Sequence, residues 1–183
     1  ACRMSVFLGW LPDAATQATL AGLRLRVEAA LPAGAPRHHW RRPAQWHMTL
    51  RYLGERIDEA QRARIESAMT GFAAANGAAD AAITDVQYWP HARVLVAKID
   101  ASPALKALLK QLEADAQGSG FMKERAQTAH LTLAYLPRGA TPPALAGIAT
   151  HAPLRIDRIN LLETVPGGYD TLASWPLTGR CDA

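Results

Sequence analysis

A seven-residue pattern occurs twice in this chain of 183 residues and constrains its fold more than any other feature. Residues 47–53 read H-M-T-L-R-Y-L, and residues 130–136 read H-L-T-L-A-Y-L. Five of the seven positions are identical, and the two copies are 83 residues apart. Each copy begins with the polar and apolar alternation of a half-buried strand. The repeat therefore predicts two similar lobes, each containing one such strand.

The polar residues of the repeat fall on one face of each strand. Because residues i and i+2 of a strand point to the same side, His47 shares a face with Thr49, and His130 shares a face with Thr132. The residues between them are apolar and point toward a core. If a pseudo-twofold axis relates the lobes, the two polar faces meet across a cleft.

The remaining periodicities predict the other elements. The expected strands cover residues 3–11, 45–53, 81–88, 94–99, 128–136, 154–164 and 169–177. The expected helices cover residues 13–31, 58–76, 102–118 and 142–150, and residues 32–44 form a loop. This order favours an α+β fold over a doubly wound parallel sheet. We expect two pseudo-symmetric antiparallel-sheet lobes in one domain over residues 1–183, with helices outside and a central cleft.

Composition narrows the class of protein. Hydrophobic residues make up 49% and charged residues 20%, as in ordinary globular proteins. No apolar run approaches the ~20 residues of a membrane span. The net charge of +4 favours an anionic partner. Cys2 and Cys181 form neither a disulfide framework nor a zinc motif, and we expect free thiols in a cytoplasmic monomer.

Two histidines and two threonines suit phosphodiester chemistry. An unperturbed imidazole titrates near ~6.5, so one histidine can accept a proton from water while the other donates one to a leaving oxygen. Threonine hydroxyls can donate hydrogen bonds to phosphoryl oxygens. A single histidine and threonine on a solvent-facing strand would be ordinary. Two copies with matching flanks favour catalysis over packing.

A metal site is the competing interpretation of the histidines. Catalytic zinc usually has three protein ligands. The other histidines are His38, His39, His91 and His151, and none stands in a metal-ligand spacing. We therefore expect neither a metal nor another cofactor.

The two motifs, His47-Met48-Thr49-Leu50 and His130-Leu131-Thr132-Leu133, resemble the HxTx motifs of the 2H phosphoesterase superfamily. The flanking sequences are similar to bacterial RNA 2′,3′-cyclic phosphodiesterases, also called 2′-5′ RNA ligase-like proteins. That resemblance covers nearly the whole chain. It implies metal-free hydrolysis of RNA or nucleotide 2′,3′-cyclic phosphates to 2′-phosphomonoesters. By family convention the first histidine is the proton donor and the second is the proton acceptor.

The chain departs from the family pattern at several positions. Ala129 stands where the family often has proline, Tyr135 where it often has arginine, and Tyr52 where it often has phenylalanine. Strict alternation puts both tyrosines on the core face, so a role at the site requires a β-bulge. Tyr52 and Tyr135 are therefore candidates either for substrate contact or for core packing.

Other residues are candidates for lining the substrate site. In the basic segment 37–42, Arg41 and Arg42 either meet RNA phosphates or form a solvated loop. Trp40 and Trp46 either stack on a base or anchor that loop.

Two further arginines, Arg51 and Arg125, each have two possible roles. Arg51 is expected on the face of His47 and Thr49, where it either binds phosphate or lies at the rim. Arg125 either anchors a loop or touches the ligand.

Three other functions compete with the cyclic phosphodiesterase. The same fold can support a 2′-5′ RNA ligase or a 2′-5′ oligonucleotide phosphodiesterase. A non-catalytic RNA-binding module belongs to a different class, but such a module needs no acid and base. The sequence also lacks the GxxxxGK[ST] motif of a nucleoside triphosphate cradle, which weakens the case for an ATP-dependent ligase.

Overall fold

The computed structural model describes residues 4–179. The strands are β1 (Val6–Trp10), β2 (His39–Trp40), β3 (Met48–Gly54), β4 (Ala79–Trp89), β5 (Val94–Ala101), β6 (His130–Tyr135), β7 (Ala149–Ile156), β8 (Arg158–Val165) and β9 (Gly168–Pro176). The α-helices are α1 (Ala14–Ala29), α2 (Glu59–Ala75) and α3 (Pro103–Gly118). Cys2 and Cys181, expected as free thiols, lie outside the described residues.

The strands form two antiparallel sheets. The first sheet has the order β3-β1-β8-β9, and the second has the order β2-β6-β5-β4-β7. The two copies of the repeat, β3 and β6, therefore lie in different sheets. Helix α2 packs against β8 and β9, whereas α3 contacts β3 of the first sheet and both β4 and β5 of the second. The expected α+β fold with two antiparallel lobes is confirmed.

Side-chain caps begin the three helices where the sequence predicts. The Asp13 carboxylate accepts a hydrogen bond from the Thr16 amide at 2.8 Å. Asp58 and Gln61 form a reciprocal capping box at the start of α2. Ser102 caps α3 by accepting from the Leu105 amide at 3.1 Å.

The apolar sides of both motif strands face a shared core. Met48 and Leu131 occupy equivalent positions in the repeat, and both are fully buried in one hydrophobic cluster with residues of both sheets. Burying a side chain of this size contributes about 1.5–3 kcal/mol. The core thus fixes which side of each strand faces inward, and the opposite side carries the histidines and threonines.

Two expectations about elements are wrong. Residues 142–150 do not form a helix, because two adjacent prolines and a turn at Gly147, with φ of 83°, break the pattern before β7 begins. The single strand expected over 154–164 is two strands, β7 and β8, which belong to different sheets.

Two other expectations need smaller changes. The loop expected over 32–44 contains the two-residue strand β2, which pairs with β6. The closing hairpin is confirmed as β8 and β9, whose turn includes Gly167 at a φ of 84°.

Candidate active site

The ring of His47 is oriented by the backbone just before it. Its Nδ1 lies 3.1 Å from the Gln45 carbonyl oxygen. A carbonyl can only accept, so Nδ1 donates the proton and Nε2 of the neutral ring is left as an acceptor. The rings of Phe7 and Tyr169 pack on His47, with centroid distances of 5.0 and 4.6 Å.

His130 is oriented in the same way. Its Nδ1 donates to the Thr128 carbonyl oxygen at 2.7 Å, and this residue again lies two positions before the histidine. The ring of Trp89 packs on His130 at a centroid distance of 4.6 Å. Both histidines therefore present Nε2 as the nitrogen available to accept or, when protonated, to donate.

A β-bulge interrupts each motif strand at the same place. On β3, Gly9 pairs with Thr49 but Leu8 pairs with Arg51, so the extra residue is Leu50. On β6, Val96 pairs with Thr132 but Leu95 pairs with Ala134, so the extra residue is Leu133. Each bulge reverses the alternation beyond the threonine.

The bulges bring both tyrosines to the polar side of their strands. Tyr52 and Tyr135 line the same cleft as His47 and Thr49. A role of these tyrosines at the site requires a bulge, and each strand has one. Tyr135 is also 44% exposed, so it does not fill the core.

The same reversal takes Arg51 away from the histidines, which corrects the expectation that it shares their face. Arg51 is buried, and its Nε lies 2.6 Å from a Glu113 carboxylate oxygen on α3. It also donates to the carbonyl oxygens of Tyr52 and Met122. Arg51 thus ties β3 to α3 and to the segment that leads into β6.

The electrostatic partner of Arg51 is held ionised. Partial burial alone would raise the pKa of Glu113. Hydrogen bonds from Arg51, the Glu124 amide and Gln117 outweigh that effect and hold the pKa below its usual value.

The central cleft beside His47 has a volume of about 460 Å³. Its lining residues are Ser5, Phe7, Arg41, His47, Thr49, Tyr52, Gln127, Tyr135, Thr164 and Tyr169. Thr132 lies on β6, where it is half-buried and pairs with Val96 of β5. It is not part of the cleft lining. His130 is likewise outside the lining, but its charge acts on His47 through space.

Arg41 is the cationic side chain that lines the cleft. Its backbone amide donates to the Leu133 carbonyl oxygen at 2.8 Å. Its guanidinium lies 5.5 Å from the ring centroid of Tyr135 and donates to the Tyr169 hydroxyl at 3.3 Å. Arg41 therefore connects β6 to the surroundings of His47. The sequence of the loop alone does not show that Arg41 makes these contacts.

Both histidines are biased toward the neutral form. The pKa of His47 is lowered from 6.5 to about 4, chiefly by burial and also by the charges of Arg41 and His130, which together outweigh the raising effect of the hydrogen bond to Gln45. Burial also lowers the pKa of His130, opposed by the hydrogen bond to Thr128. A bound anion would raise both pKa values.

A polar relay extends from the second histidine along β4. Trp89, which packs on His130, donates from its indole nitrogen to Gln87 at 3.2 Å. Gln87 donates in turn to the Asp85 carboxylate at 3.2 Å. This relay fixes the orientation of Trp89, and sequence reasoning missed it because only the sheet pairing brings β4 near β6.

Several expected lining residues lie elsewhere. Trp40 faces α1, where Arg24 lies 5.1 Å from its ring centroid, and Trp46 is buried in the core. Arg42 is exposed and lies beside the Gly167 turn rather than in the cleft. Arg125 is exposed and lines a separate groove.

Residues 4–179 contain no cluster of three histidine, cysteine, aspartate or glutamate side chains suited to hold a metal ion. Over the same residues, no helix has the length and apolar character needed to cross a bilayer.

Comparison with solved structures shows that this two-sheet arrangement is shared with other proteins. TT0787 of Thermus thermophilus superposes with a TM-score of 0.75 at 20% identity, covering 96% of this chain and 99% of that one. LigT of E. coli complexed with NADP+ gives 0.70 at 17% identity, covering 96% and 98%. LigT complexed with 3′-AMP gives 0.67 at 17% identity, covering 97% and 99%.

The fold of this chain is therefore shared with these solved structures, at 17–20% identity. Residues 11–96 match the family described as LigT-like phosphoesterase. This match covers 86 of the 183 residues, and over that part the chain is similar to the LigT-like family. No curated protein sequence matches the chain.

Proposed function

We propose that the chain hydrolyses 2′,3′-cyclic phosphates at the ends of RNA or on nucleotides, without a metal, to give 2′-phosphomonoesters. The observation that carries this proposal is the matched pair of histidines on the two motif strands, each with Nδ1 bonded to a carbonyl and Nε2 available. Opening a cyclic phosphodiester needs one proton removed from water and one delivered to the leaving oxygen.

In the proposed reaction, Nε2 of His130 accepts a proton from water as the water oxygen attacks phosphorus. The bond between phosphorus and the 3′ oxygen breaks, and protonated His47 delivers a proton from Nε2 to that oxygen. This assignment follows the family convention. The pKa of His47 is about 4 in the protein without a ligand. The bound phosphate anion must therefore raise this pKa for His47 to act as the donor at neutral pH.

Other residues have proposed roles in binding. We assign Thr49 of the cleft and Thr132 of the second motif strand as hydrogen-bond donors to the phosphoryl oxygens, and Arg41 of the cleft supplies a positive charge beside the phosphate. We propose that Tyr52 and Tyr135, which line the cleft, contact a base or the ribose through their aromatic rings. The 3′-AMP, ATP and NADP+ complexes of E. coli LigT support a nucleotide as the ligand. A cytoplasmic monomer remains the prediction made from the sequence.

The test is incubation of the protein with adenosine 2′,3′-cyclic phosphate in EDTA, with the product identified by ³¹P NMR. We expect adenosine 2′-phosphate. A 3′-phosphate product would refute the regiochemistry, and activity that EDTA abolishes and zinc restores would refute the metal-free reaction.

The alternative activities need separate substrates. Joining of a 5′-hydroxyl RNA to the cyclic phosphate would indicate the reverse, ligating direction. Cleavage of a 2′-5′ linked oligonucleotide alone would indicate the oligonucleotide phosphodiesterase. Binding of nucleotides with no turnover of any of these substrates would leave only the RNA-binding module.

A further inference from the structure

A second groove adjoins the central cleft along β3. It has a volume of about 430 Å³ and is formed by β3, α3 and the segment 123–129. Thr49, Tyr52 and Gln127 line both this groove and the central cleft. The two spaces therefore share a border, and a ligand longer than one nucleotide could extend from one into the other.

Positive charge is concentrated around this groove. Lys106, Lys110, Lys123 and Arg125 line it, and we call them the basic rim. They include three of the four lysines in the chain. Within residues 4–179 no member of the basic rim forms an ion pair, whereas the Glu113 carboxylate in the same groove is already paired with Arg51. Glu124 is the one other acidic residue of the lining.

The basic rim does not stabilise the helix that carries half of it. Lys106 and Lys110 are four residues apart on α3, so their like charges face each other at the spacing where repulsion costs a few tenths of a kcal/mol. Lys106 also lies near the N-terminus of the helix, where the macrodipole disfavours a cation. These charges fit an anionic ligand better than they fit a structural role.

The floor of the groove is apolar. Leu50, Leu109, Ala126 and Ala129 contribute to it, and Tyr52 lies where the groove meets the cleft. Single-stranded nucleic acid matches this combination, because its phosphates need cations while its bases rest on apolar and aromatic surfaces. The volume lies within the range of small-ligand pockets, which suits one or two nucleotides better than a protein segment.

We propose that this groove binds the nucleotides next to the terminal cyclic phosphate of a single-stranded RNA. The inference rests on the proposed function, since it places that terminal phosphate beside His47. It names the preferred substrate as an RNA end rather than a free nucleotide. It also gives Arg125, one of the candidates from the sequence, a ligand contact outside the cleft.

The experiment measures binding and not only turnover. A fluorescein-labelled single-stranded RNA of six nucleotides with a 3′-terminal phosphate is titrated with protein, and its anisotropy gives Kd. Adenosine 3′-phosphate is measured by calorimetry. The test variant is Lys106→Gln with Lys110→Gln. The control is Arg155→Gln with Arg158→Gln, which removes the same charge from exposed arginines outside both the cleft and the groove.

We expect the lysine variant to weaken RNA binding by about tenfold more than mononucleotide binding. The slope of log K against log salt should fall by about 1.4, since each phosphate contact to a single strand contributes about 0.7. The arginine control should bind RNA as the wild type does. Unchanged RNA binding in the lysine variant, or equal losses for both ligands, would overturn the groove assignment.

Two further outcomes distinguish RNA binding in the groove from catalysis in the cleft and from binding of a protein. If the wild type shows RNA binding that depends on the basic rim but hydrolyses no cyclic phosphate, the groove stands and the proposed function fails. If the lysine variant binds RNA normally but loses binding of a polyglutamate peptide, the groove belongs to an acidic protein partner and the RNA proposal is wrong.

Discussion

The two motif strands, β3 and β6, agree on their polar side and differ in their surroundings. Both carry a histidine bonded to the carbonyl two residues before it, and both contain a bulge three residues after the histidine. These shared features govern where Nε2 and the tyrosines point. The repeat has therefore kept the geometry of the groups that face the cleft.

The two strands differ in the residues that surround each histidine. Phe7, Tyr169 and Arg41 surround His47, whereas Trp89 packs on His130. Two histidines with similar backbone bonds thus have unequal electrostatic environments. This inequality is what an acid and a base require, because identical environments would give both groups the same proton affinity.

The repeat also differs at the position four residues after each histidine. Arg51 on β3 is buried in an ion pair, and its equivalent on β6 is the buried Ala134. One lobe uses this position to hold α3, and the other simply packs an alanine. A change in the repeated pattern here reflects structure rather than chemistry.

The largest expected effect comes from removing either histidine. His47→Ala and His130→Ala should each lower kcat on adenosine 2′,3′-cyclic phosphate by about 10²–10⁴-fold while the fold persists, because each group is proposed to transfer a proton. Kinetics and circular dichroism of both variants check this. An activated aryl phosphodiester should restore activity to His47→Ala more than to His130→Ala. Equal rescue of both variants would overturn the assignment of His47 as donor and His130 as acceptor. Near-normal turnover in either folded variant would exclude the replaced histidine from the mechanism.

The next effect concerns stability in acid. The pKa of His47 is lowered in the folded state, so the unfolded chain takes up the proton first as pH falls below 6.5, and stability is lost down to about pH 4. His47→Gln should remove about 3 kcal/mol of this loss, measured by urea unfolding at several pH values. His130→Gln is the matched control and should remove less, because His130 is less deeply buried than His47 and Arg41 does not act on it. An equal change in both variants would contradict the unequal environments.

A smaller loss of stability is expected when the ion pair between Arg51 and Glu113 is broken. Arg51→Met keeps most of the apolar volume but removes the charge, and should destabilise the fold by about 2–3 kcal/mol in urea. The value falls below that of a fully buried pair because the Glu113 side chain is 25% exposed. Adding Glu113→Gln should recover part of the loss. An unchanged unfolding midpoint in Arg51→Met would show that the pair contributes nothing.

The repeat is sufficient to predict the candidate histidines, whereas the fold class also required the order of the other elements. It is sufficient because periodicity fixes which residues of a short strand share a face. The same rule failed at Arg51, since a bulge depends on the register with the neighbouring strand. Gly9 opposite Thr49 and Val96 opposite Thr132 show no common sequence sign of the bulges.

Contacts that depend on tertiary structure were also missed. Arg41 and Tyr169 meet beside His47 only because β2 pairs with β6 and β9 closes the first sheet. The false helix at 142–150 had a plausible apolar pattern, but its prolines and Gly147 outweighed that pattern. Local sequence therefore identified the candidate reacting groups more readily than the residues that surround them.

The position of β1 in the middle of the first sheet has a consequence for the order of folding. During synthesis, β1 can pair with β3 early, but its other edge stays open until β8 leaves the ribosome. Phe7 and Tyr169, which pack together on His47, are 162 residues apart in the chain. Such long-range closure is slow, so the pocket around the first histidine is completed only when β9 brings Tyr169 to Phe7 of β1.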